Sequence, residues 1–404
     1  MKKVLTLILA GGKGERLYPL TRDRTKPAVP FGAVYRIIDF TLSNCINSNL
    51  RKIYILSQYK SLSLNRHIQL GWNILSSTLD EFIIVVPAQQ RVNEHWYKGT
   101  ADAIYQNIYL LQKEHPDLLL ILSGDHVYKM DYREMIDFHL KKGADVTIGA
   151  VEMDKKLSRD FGVVEIDNDY RVVGFQEKPA RPKTVPNKPD TILVSMGIYI
   201  FNTEILVRKL IEDAKKDTAH DFGKNILPAM SNENRVFAYN YEEGKENGHY
   251  WRDVGTIETY FEANMDLVSV SPQLDLYDSE WPIHTYQGHF PPAKTVFNEN
   301  FEGGRRGVAL ESYISGGCII SGGEVKRSLL SPNVRVDSSA QIEDSILLEG
   351  VWVKKQAKIR KAIIDKNSEI SPGMKIGYDL EEDAKMFTVT ESGIVVVPKE
   401  FRAR

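Results

Sequence analysis

The 404-residue chain has few cysteines, no long apolar run and no strong excess of either charge. Its two cysteines, Cys45 and Cys318, lie far apart and without metal-ligand spacing, which favours a reducing, cytoplasmic setting. No stretch approaches the roughly 20 apolar residues that cross a membrane. The formal net charge is -2 and basic residues are dispersed, so the sequence indicates neither a nucleic-acid nor a membrane partner.

A glycine-rich turn after the first apolar run is the most informative segment. Val4–Ala10 predicts a buried strand, and Gly11–Arg16 follows with three glycines interleaved with Lys13 and Arg16. Glycine lets backbone N–H groups approach an anion and the cations add charge, so the turn suits a triphosphate. A Walker loop needs Ser or Thr after the lysine, and a dinucleotide fingerprint needs a third glycine where leucine stands. An ordinary strand-to-helix turn is the plain alternative.

Apolar runs alternate with amphipathic stretches up to about Val268, which predicts an α/β, Rossmann-like and mostly parallel sheet covered on both faces. The candidate strands are Val4–Ala10, Lys52–Ser57, Phe82–Pro87, Leu118–Ser123, Asp145–Val151, Val172–Glu177, Leu193–Phe201 and Val236–Tyr241. The candidate helices are Ile38–Ser48, Ser61–Leu70, Thr100–Lys113, Tyr132–Lys142 and Thr203–Lys215. Sites in such folds lie at the carboxyl ends of strands, where Gly11–Arg16 and Asp125 both fall.

The remaining residues predict a connection and a second domain. Ser269–Lys294 contains four prolines and several aromatics, as expected of a packed linker. Beyond it, short aliphatic residues recur every five or six positions, which predicts a parallel β-helix of hexapeptide repeats. An antiparallel sheet is the alternative. The expected domains are residues 1–268, 269–295 and 296–404. The recurring residues are Val336, Ile342, Leu348, Val353, Ile359, Ile364, Ile370 and Ile376.

Four further clusters carry reactive or binding groups. The segment 96–102 opens a helix at Thr100, whose free N–H groups could receive a nucleotide. Asp125 follows a strand, where a hard cation would take a carboxylate. Glu177 and Lys178 place an acid beside a base, and Asp253 precedes another helix. Taken singly, each has a plain structural explanation, as a helix cap or a solvated ion pair.

Together these segments resemble the sugar-nucleotide pyrophosphorylases, and more narrowly the family of glucose-1-phosphate adenylyltransferases. The resemblance covers essentially the whole chain. The runs that carry it are residues 9–17, 26–32, 36–40, 42–48, 87–91, 96–102, 124–128, 195–199 and 315–318.

The resemblance implies that the phosphate of α-D-glucose 1-phosphate attacks the α-phosphorus of ATP in line, giving ADP-glucose and pyrophosphate for glycogen synthesis. Alignment and charge neutralisation then carry the catalysis. It implies catalytic roles for Arg16, Lys26 and Asp125, and Mg²⁺ held by Asp125 and Asp253. The implied sugar-phosphate residues are Tyr97, Gly162, Glu177, Lys178 and Ser195. The implied nucleotide residues are Leu9, Ala10, Gly11, Gly12, Gln90, Gly99 and Thr100.

The resemblance also implies a left-handed β-helix and a tetramer, either of identical chains or with a related modulating chain. Strongly activated relatives often carry lysine where this chain has Asp23, so we expect weak or altered activation by sugar bisphosphates. Three alternatives stay open. A UTP- or dTTP-dependent enzyme would use the same chemistry, a modulating subunit would lose the charged site groups, and an acyltransferase would need a histidine that residues 325–404 lack.

Overall fold

A nine-stranded sheet forms the centre of the N-terminal half. The computed structural model describes residues 2–89, 96–241, 250–298 and 305–403. Val4–Ala10 lies between Leu118–Ser123 and Lys52–Ser57, all parallel, and Phe82–Pro87 extends the parallel set to one edge. The α/β class and the parallel strands around the first turn are thereby confirmed. Thr191–Asn202 runs antiparallel to Leu118–Ser123, so the other half of the sheet is mixed.

The other strands of this sheet are Val146–Asp154, Gly162–Ile166, Val172–Glu177 and Val236–Asn240. The helices are Ile37–Asn47, Leu62–Gly71, Thr100–Tyr105, Ile108–Glu114, Tyr132–Lys142, Thr203–Ala214, Leu227–Glu233, Ile257–Leu267 and Leu380–Ala384. Across the described residues, every helix is too short or too polar to cross a membrane.

Both faces of the sheet are buried, because alternate side chains of each central strand enter opposite cores. Leu5 and Leu7 pack in one apolar cluster, and Ile8 and Ala10 pack in the other. Two hydrophobic faces of this kind require covering elements on both sides of the sheet. The helices between the strands supply them.

The predicted helix Thr100–Lys113 is interrupted in the middle. It forms two pieces, Thr100–Tyr105 and Ile108–Glu114. The Asn107 side chain donates to the Ala103 carbonyl at 2.8 Å and to the Tyr97 hydroxyl at 2.8 Å. Because asparagine side chains compete with the backbone for such bonds, they favour helix ends over helix interiors.

The segment after residue 268 packs against the helix Ile37–Asn47. Trp281 Nε1 donates to Asn44 Oδ1 at 2.9 Å, and the Thr285 hydroxyl donates to Asp39 Oδ2 at 2.7 Å. Asp39 is fully buried and also accepts a hydrogen bond from Trp72 Nε1. The connecting chain is therefore anchored at defined points.

The C-terminal part is the parallel β-helix that the repeats predict, and it is consistent with the left-handed form that the resemblance implies. Its three sheets consist of short strands that pair in parallel, apart from two antiparallel pairs at the ends. Arg335 pairs with Trp352, which pairs with Glu369, so one coil takes 17 residues. The strands are Lys294–Asn298, Arg305–Arg306, Val308–Leu310, Tyr313–Ile314, Ile319–Ser321, Glu324–Lys326, Leu329–Leu330, Arg335–Val336, Gln341–Glu343, Ile346–Leu347, Trp352–Val353, Lys358–Arg360, Ala362–Ile364, Glu369–Ile370, Lys375–Ile376, Thr388–Val389 and Val395–Val397.

One expected core position of the β-helix is wrong by one residue. Leu347, not Leu348, lies in the inner core and in register with Ile364. Leu348 lies outside the inner core of the β-helix and is buried in an apolar cluster shared with the N-terminal half. A coil of 17 residues cannot hold three equal steps of six, so one side of such a coil is a residue shorter.

Candidate active site

The candidate site is a cleft at the carboxyl ends of the parallel strands. The main cleft has a volume of about 750 Å³, and a side pocket of about 200 Å³ adjoins it. Leu9, Thr100, Ser123 and Asp221 line both. Ligands of open α/β sheets bind at this edge. The two cavities together form one continuous site with two compartments.

Two carboxylates and one lysine meet where the compartments join. Lys26 Nζ lies 2.7 Å from Asp253 Oδ1 and 3.0 Å from Asp125 Oδ2. A two-stranded ribbon makes this possible, because it sets Asp253 directly opposite His126. Residues that are 128 positions apart in the chain therefore share one ammonium group. The lysine itself is buried, and both carboxylates remain partly exposed to the cleft.

The charges of this group stabilise each other. Burial by itself would raise the pKa of the Asp125 carboxyl, but Lys26, His126 and the Ser123 hydroxyl hold that pKa well below its usual range. Burial likewise opposes the charge on Lys26, but the two carboxylates raise the pKa of its ammonium group. Opposite charges at hydrogen-bond distance favour the ionised forms of both partners.

The two carboxylates and His126 form the one cluster with metal-ligand geometry among the residues described. Ligand atoms of Asp125, His126 and Asp253 lie within 4.8 Å of one another. His126 Nδ1 is buried without a hydrogen-bond partner, and its ring stands edge-on to Trp251 at 5.2 Å. Carboxylate oxygens suit a hard divalent cation such as Mg²⁺. The two carboxylates of this cluster therefore suit a divalent cation.

The glycine-rich turn lines the main cleft with its backbone. Leu9, Ala10, Gly11 and Gly12 border the cleft, as do Lys13, Gly14 and Arg16. Gly14 has φ +65°, and a side chain there would crowd Thr21 and Lys26. A Cβ on Gly255 would lie 3.1 Å from both Arg16 Nη2 and the Asp253 carboxylate. The side chains of Arg16 and Asp253 therefore both lie next to Gly255, where a larger residue would crowd them.

The helix start at Thr100 differs from the expectation. The amides of Ala101 and Asp102 are not free, because both donate to the His220 carbonyl, at 2.9 and 3.2 Å. A Cβ on Gly99 would lie 2.3 Å from the Ala219 carbonyl oxygen. Gly99 and Thr100 do line the main cleft. The Ala101 and Asp102 amides thus hold a neighbouring loop instead of being free for a phosphate.

Most of the expected sugar-phosphate residues gather in the side pocket. Gly162, Glu177 and Ser195 line it, and Tyr97 lines the main cleft. Burial, followed by the nearby Asp221, raises the pKa of the Glu177 carboxyl. The Ser195 hydroxyl lies 3.1 Å from the Tyr199 hydroxyl.

Lys178 stands apart from this group. It lies on the exposed rim and lines neither cavity. Its backbone has φ +51°, and its amide donates to the Phe161 carbonyl at 3.1 Å. Gln90, expected on the nucleotide side, lies outside the described residues.

Several lining residues were missed in the sequence. Asp221 borders both cavities, and Gln58 Oε1 accepts a hydrogen bond from the Tyr97 amide at 2.6 Å. Trp251 lines the side pocket two residues before Asp253, and the sequence patterns gave it no role. Gln58 follows a predicted strand directly, so its position offered a signal. Asp221 lies several residues beyond the helix Thr203–Ala214, and no local sequence pattern marks it as a site residue.

Comparison with known families agrees with this geometry. The nucleotidyl transferase family matches residues 5–270, and the GlmU-like C-terminal hexapeptide family matches residues 291–397. Fold and site thus define a nucleotidyltransferase that carries a hexapeptide β-helix.

The full-length relatives specify the family further. Curated proteins named glucose-1-phosphate adenylyltransferase from Rhodopirellula baltica and Koribacter versatilis are each 53% identical over 99% of this chain, covering 90% and 96% of their own lengths. One from Anaeromyxobacter sp. is 52% identical over 100% of this chain and 99% of its own length. The chain belongs to the glucose-1-phosphate adenylyltransferase family.

Proposed function

We propose that this chain forms ADP-glucose and pyrophosphate from ATP and α-D-glucose 1-phosphate, and so supplies the glucosyl donor for glycogen synthesis. The observation that carries the proposal is the two-compartment cleft with Lys26, Asp125 and Asp253 at its junction. The glycine-rich compartment suits a nucleotide triphosphate, and the smaller compartment suits a sugar phosphate. The names of the full-length relatives support the choice of adenine and glucose.

In this proposal the residues align two polyanions and neutralise them. Arg16 and the glycine-rich backbone bind the triphosphate from one side, and Lys26 stabilises the charge that develops on the leaving pyrophosphate. In the side pocket, the Glu177 carboxylate accepts hydrogen bonds from sugar hydroxyls, and the Ser195 hydroxyl exchanges hydrogen bonds with them. Lys178, on the rim, reaches the phosphate of glucose 1-phosphate. Leu9, Gly11 and Gly12, with Gln90, face the nucleoside.

Asp125 and Asp253 would hold Mg²⁺ in this scheme. Held there, the ion would supply Lewis-acid screening of the negative charge on the reacting phosphates. Lys26 keeps the two carboxylates together before substrates arrive, because without it their negative charges would repel each other.

A pyrophosphate-release assay tests the function. Purified chain is given glucose 1-phosphate and Mg²⁺ with ATP, UTP or dTTP in competition. We expect ADP-glucose as the main product and no turnover after chelation of divalent ions. A preference for UTP would replace this proposal with a UDP-glucose pyrophosphorylase, and no product with any nucleotide would favour a modulating subunit.

We also propose that effectors activate the chain weakly. A cavity of about 750 Å³ lies between the N-terminal half and the β-helix, and several of its cations already have acidic partners. Arg24 lies 3.0 Å from Asp365, and Lys366 lies 2.6 Å from Glu349. A carboxylate at position 23 repels a sugar bisphosphate. We expect fructose 1,6-bisphosphate to change the half-saturating ATP concentration less than about twofold, and Asp23→Lys to increase the response. A large response of the unmodified chain would contradict this.

The proposal also includes a tetrameric assembly and a cytoplasmic location. The β-helix presents flat faces and an end that suit a tetramer of identical chains or a mixed tetramer. Light scattering on the purified chain distinguishes a homotetramer from a monomer that needs a partner chain. Two free, buried cysteines suit the cytoplasm. The proposed domain boundaries are residues 1–268, 269–295 and 296–404.

A further inference from the structure

A buried acid–histidine pair lies just behind the wall of the side pocket. His220 Nδ1 lies 2.7 Å from Asp213 Oδ2, and both side chains are about nine-tenths buried. The Thr218 hydroxyl donates to Asp213 Oδ1 at 2.9 Å and accepts from the His220 amide at 3.1 Å. Neither Asp213 nor His220 lines the main cleft or the side pocket. The pair therefore cannot contact substrate directly, and any effect it has must pass through the backbone.

The pair fixes an unusual backbone conformation at His220. The residue has φ +50°, a region that residues other than glycine seldom adopt. In this conformation its carbonyl accepts the amides of Ala101 and Asp102, at 2.9 and 3.2 Å. A left-handed residue persists where surrounding contacts hold it. The Asp213 contact is such a restraint.

The next three residues form the pocket wall. Asp221 Oδ2 accepts the Thr100 hydroxyl at 2.9 Å, and the Phe222 amide donates to that hydroxyl at 3.0 Å. A Cβ on Gly223 would lie 2.9 Å from Glu177 Oε2. The wall thus approaches the Glu177 carboxylate closely. A small shift of His220 would move the surface that faces the sugar.

We infer that Asp213 and His220 are positioning residues for glucose 1-phosphate, which hold the wall 221–223 against Glu177 by fixing the His220 backbone. The inference rests on the proposed function for the identity of the ligand. The helix that begins at Thr100 has its own anchor, because the Lys98 amide donates to Asp102 Oδ2 at 2.8 Å. Loss of the pair should therefore disturb the sugar side more than the nucleotide side.

The test compares KM with kcat in Asp213→Ala. We expect the KM for glucose 1-phosphate to rise about tenfold, with kcat and the KM for ATP within about twofold of the unmodified enzyme. His220→Ala should raise this KM as well, whereas His220→Asn should keep most of the affinity for glucose 1-phosphate. Asparagine can place an amide near the position of Nδ1 and tolerates positive φ. An unchanged KM in Asp213→Ala, or a KM in His220→Asn as high as in His220→Ala, would overturn the inference.

A second readout does not depend on activity. Hydrogen exchange at the Ala101 and Asp102 amides should become faster in Asp213→Ala, because the His220 carbonyl protects both. If the unmodified chain makes no ADP-glucose, the proposed function fails, and unchanged exchange would still decide against the positioning role. If Asp213→Ala does not fold, Thr218→Val takes its place, because it removes one hydroxyl at nearly constant volume. In Thr218→Val we expect the KM for glucose 1-phosphate and the exchange rates at Ala101 and Asp102 each to rise about threefold.

His139→Ala is the matched control. His139 is a buried histidine that lies 2.8 Å from the Thr147 hydroxyl and lines neither cavity. Its loss should lower the unfolding temperature without changing the KM for glucose 1-phosphate or exchange at Ala101 and Asp102. An equal rise in KM in this control would show general destabilisation, and it would overturn the inference.

Discussion

At the scale of single residues, Lys26 is the cation that pairs with both carboxylates of the site. Its ammonium group lies 3.0 Å from the Asp125 carboxylate and 2.7 Å from the Asp253 carboxylate, in a place that water reaches only partly. Lys178 has a different environment, because it stands on the rim and contacts neither carboxylate. The two kinds of position predict two kinds of kinetic defect.

Asp125→Ala should lower kcat by about 10²–10³, the loss typical when a group that stabilises charge in the transition state is removed. Lys178→Ala should mainly raise the KM for glucose 1-phosphate, because binding at the rim contributes little to the reacting centre. Steady-state kinetics with both substrates varied measures each effect.

Asp154→Ala and Lys155→Ala are the controls for these variants. Both residues are exposed; Asp154 caps a short turn and Lys155 pairs with Asp190. Near-normal turnover of Asp125→Ala would remove that carboxylate from its proposed role.

At the scale of elements, close backbone approach explains the glycine that precedes the Thr100 helix. The His220 carbonyl caps this helix from a distant loop, so the two segments almost touch at Gly99. The interaction joins the main cleft to the wall of the side pocket. A local sequence motif thus depends on a partner 120 residues away.

Gly99→Ala should lower the free energy of unfolding by about 1–3 kcal/mol, because the new methyl group would overlap backbone atoms that cannot rotate away. Gly12→Ala is the steric control, since no atom lies within 4 Å of its added Cβ. Urea unfolding of both variants measures the difference. Equal stabilities would show that the contact at Gly99 is looser than the structure indicates.

At the scale of the whole molecule, a buried ion pair connects the two halves. Arg24 Nη2 lies 3.0 Å from Asp365 Oδ1 and 3.1 Å from Oδ2, with both residues almost fully buried. Around it, Leu329, Ile346 and Ile363 face outward from the β-helix and pack against the N-terminal half. The β-helix is therefore part of the same packed structure as the site.

Asp365→Ala should destabilise the protein by about 3–5 kcal/mol, because it leaves the Arg24 charge buried without a partner. The exposed pair Arg327–Asp344 is the control, and Asp344→Ala should cost less than about 1 kcal/mol. Chemical denaturation measures both. Replacing Arg24 and Asp365 together should cost less than the sum of the single changes.

The sequence by itself determined the parallel strands around the first turn, the repeat of the β-helix and the short motifs that carry the charged residues. These follow from local periodicity and from glycine and charge at fixed spacing, which act within a few residues. The five- and six-residue steps could not distinguish Leu347 from Leu348, because the choice depends on how each coil stacks on the next.

Only the tertiary structure decided which of those residues meet. Asp253 reaches Lys26 through the pairing of two short strands, and the amides of Ala101 and Asp102 are capped by a loop that no local pattern connects to them. Side chains that are far apart in the chain come together through sheet pairing and loop packing. The physical reason is that such contacts depend on the combined packing of many elements, whereas a sequence motif records only its own neighbours.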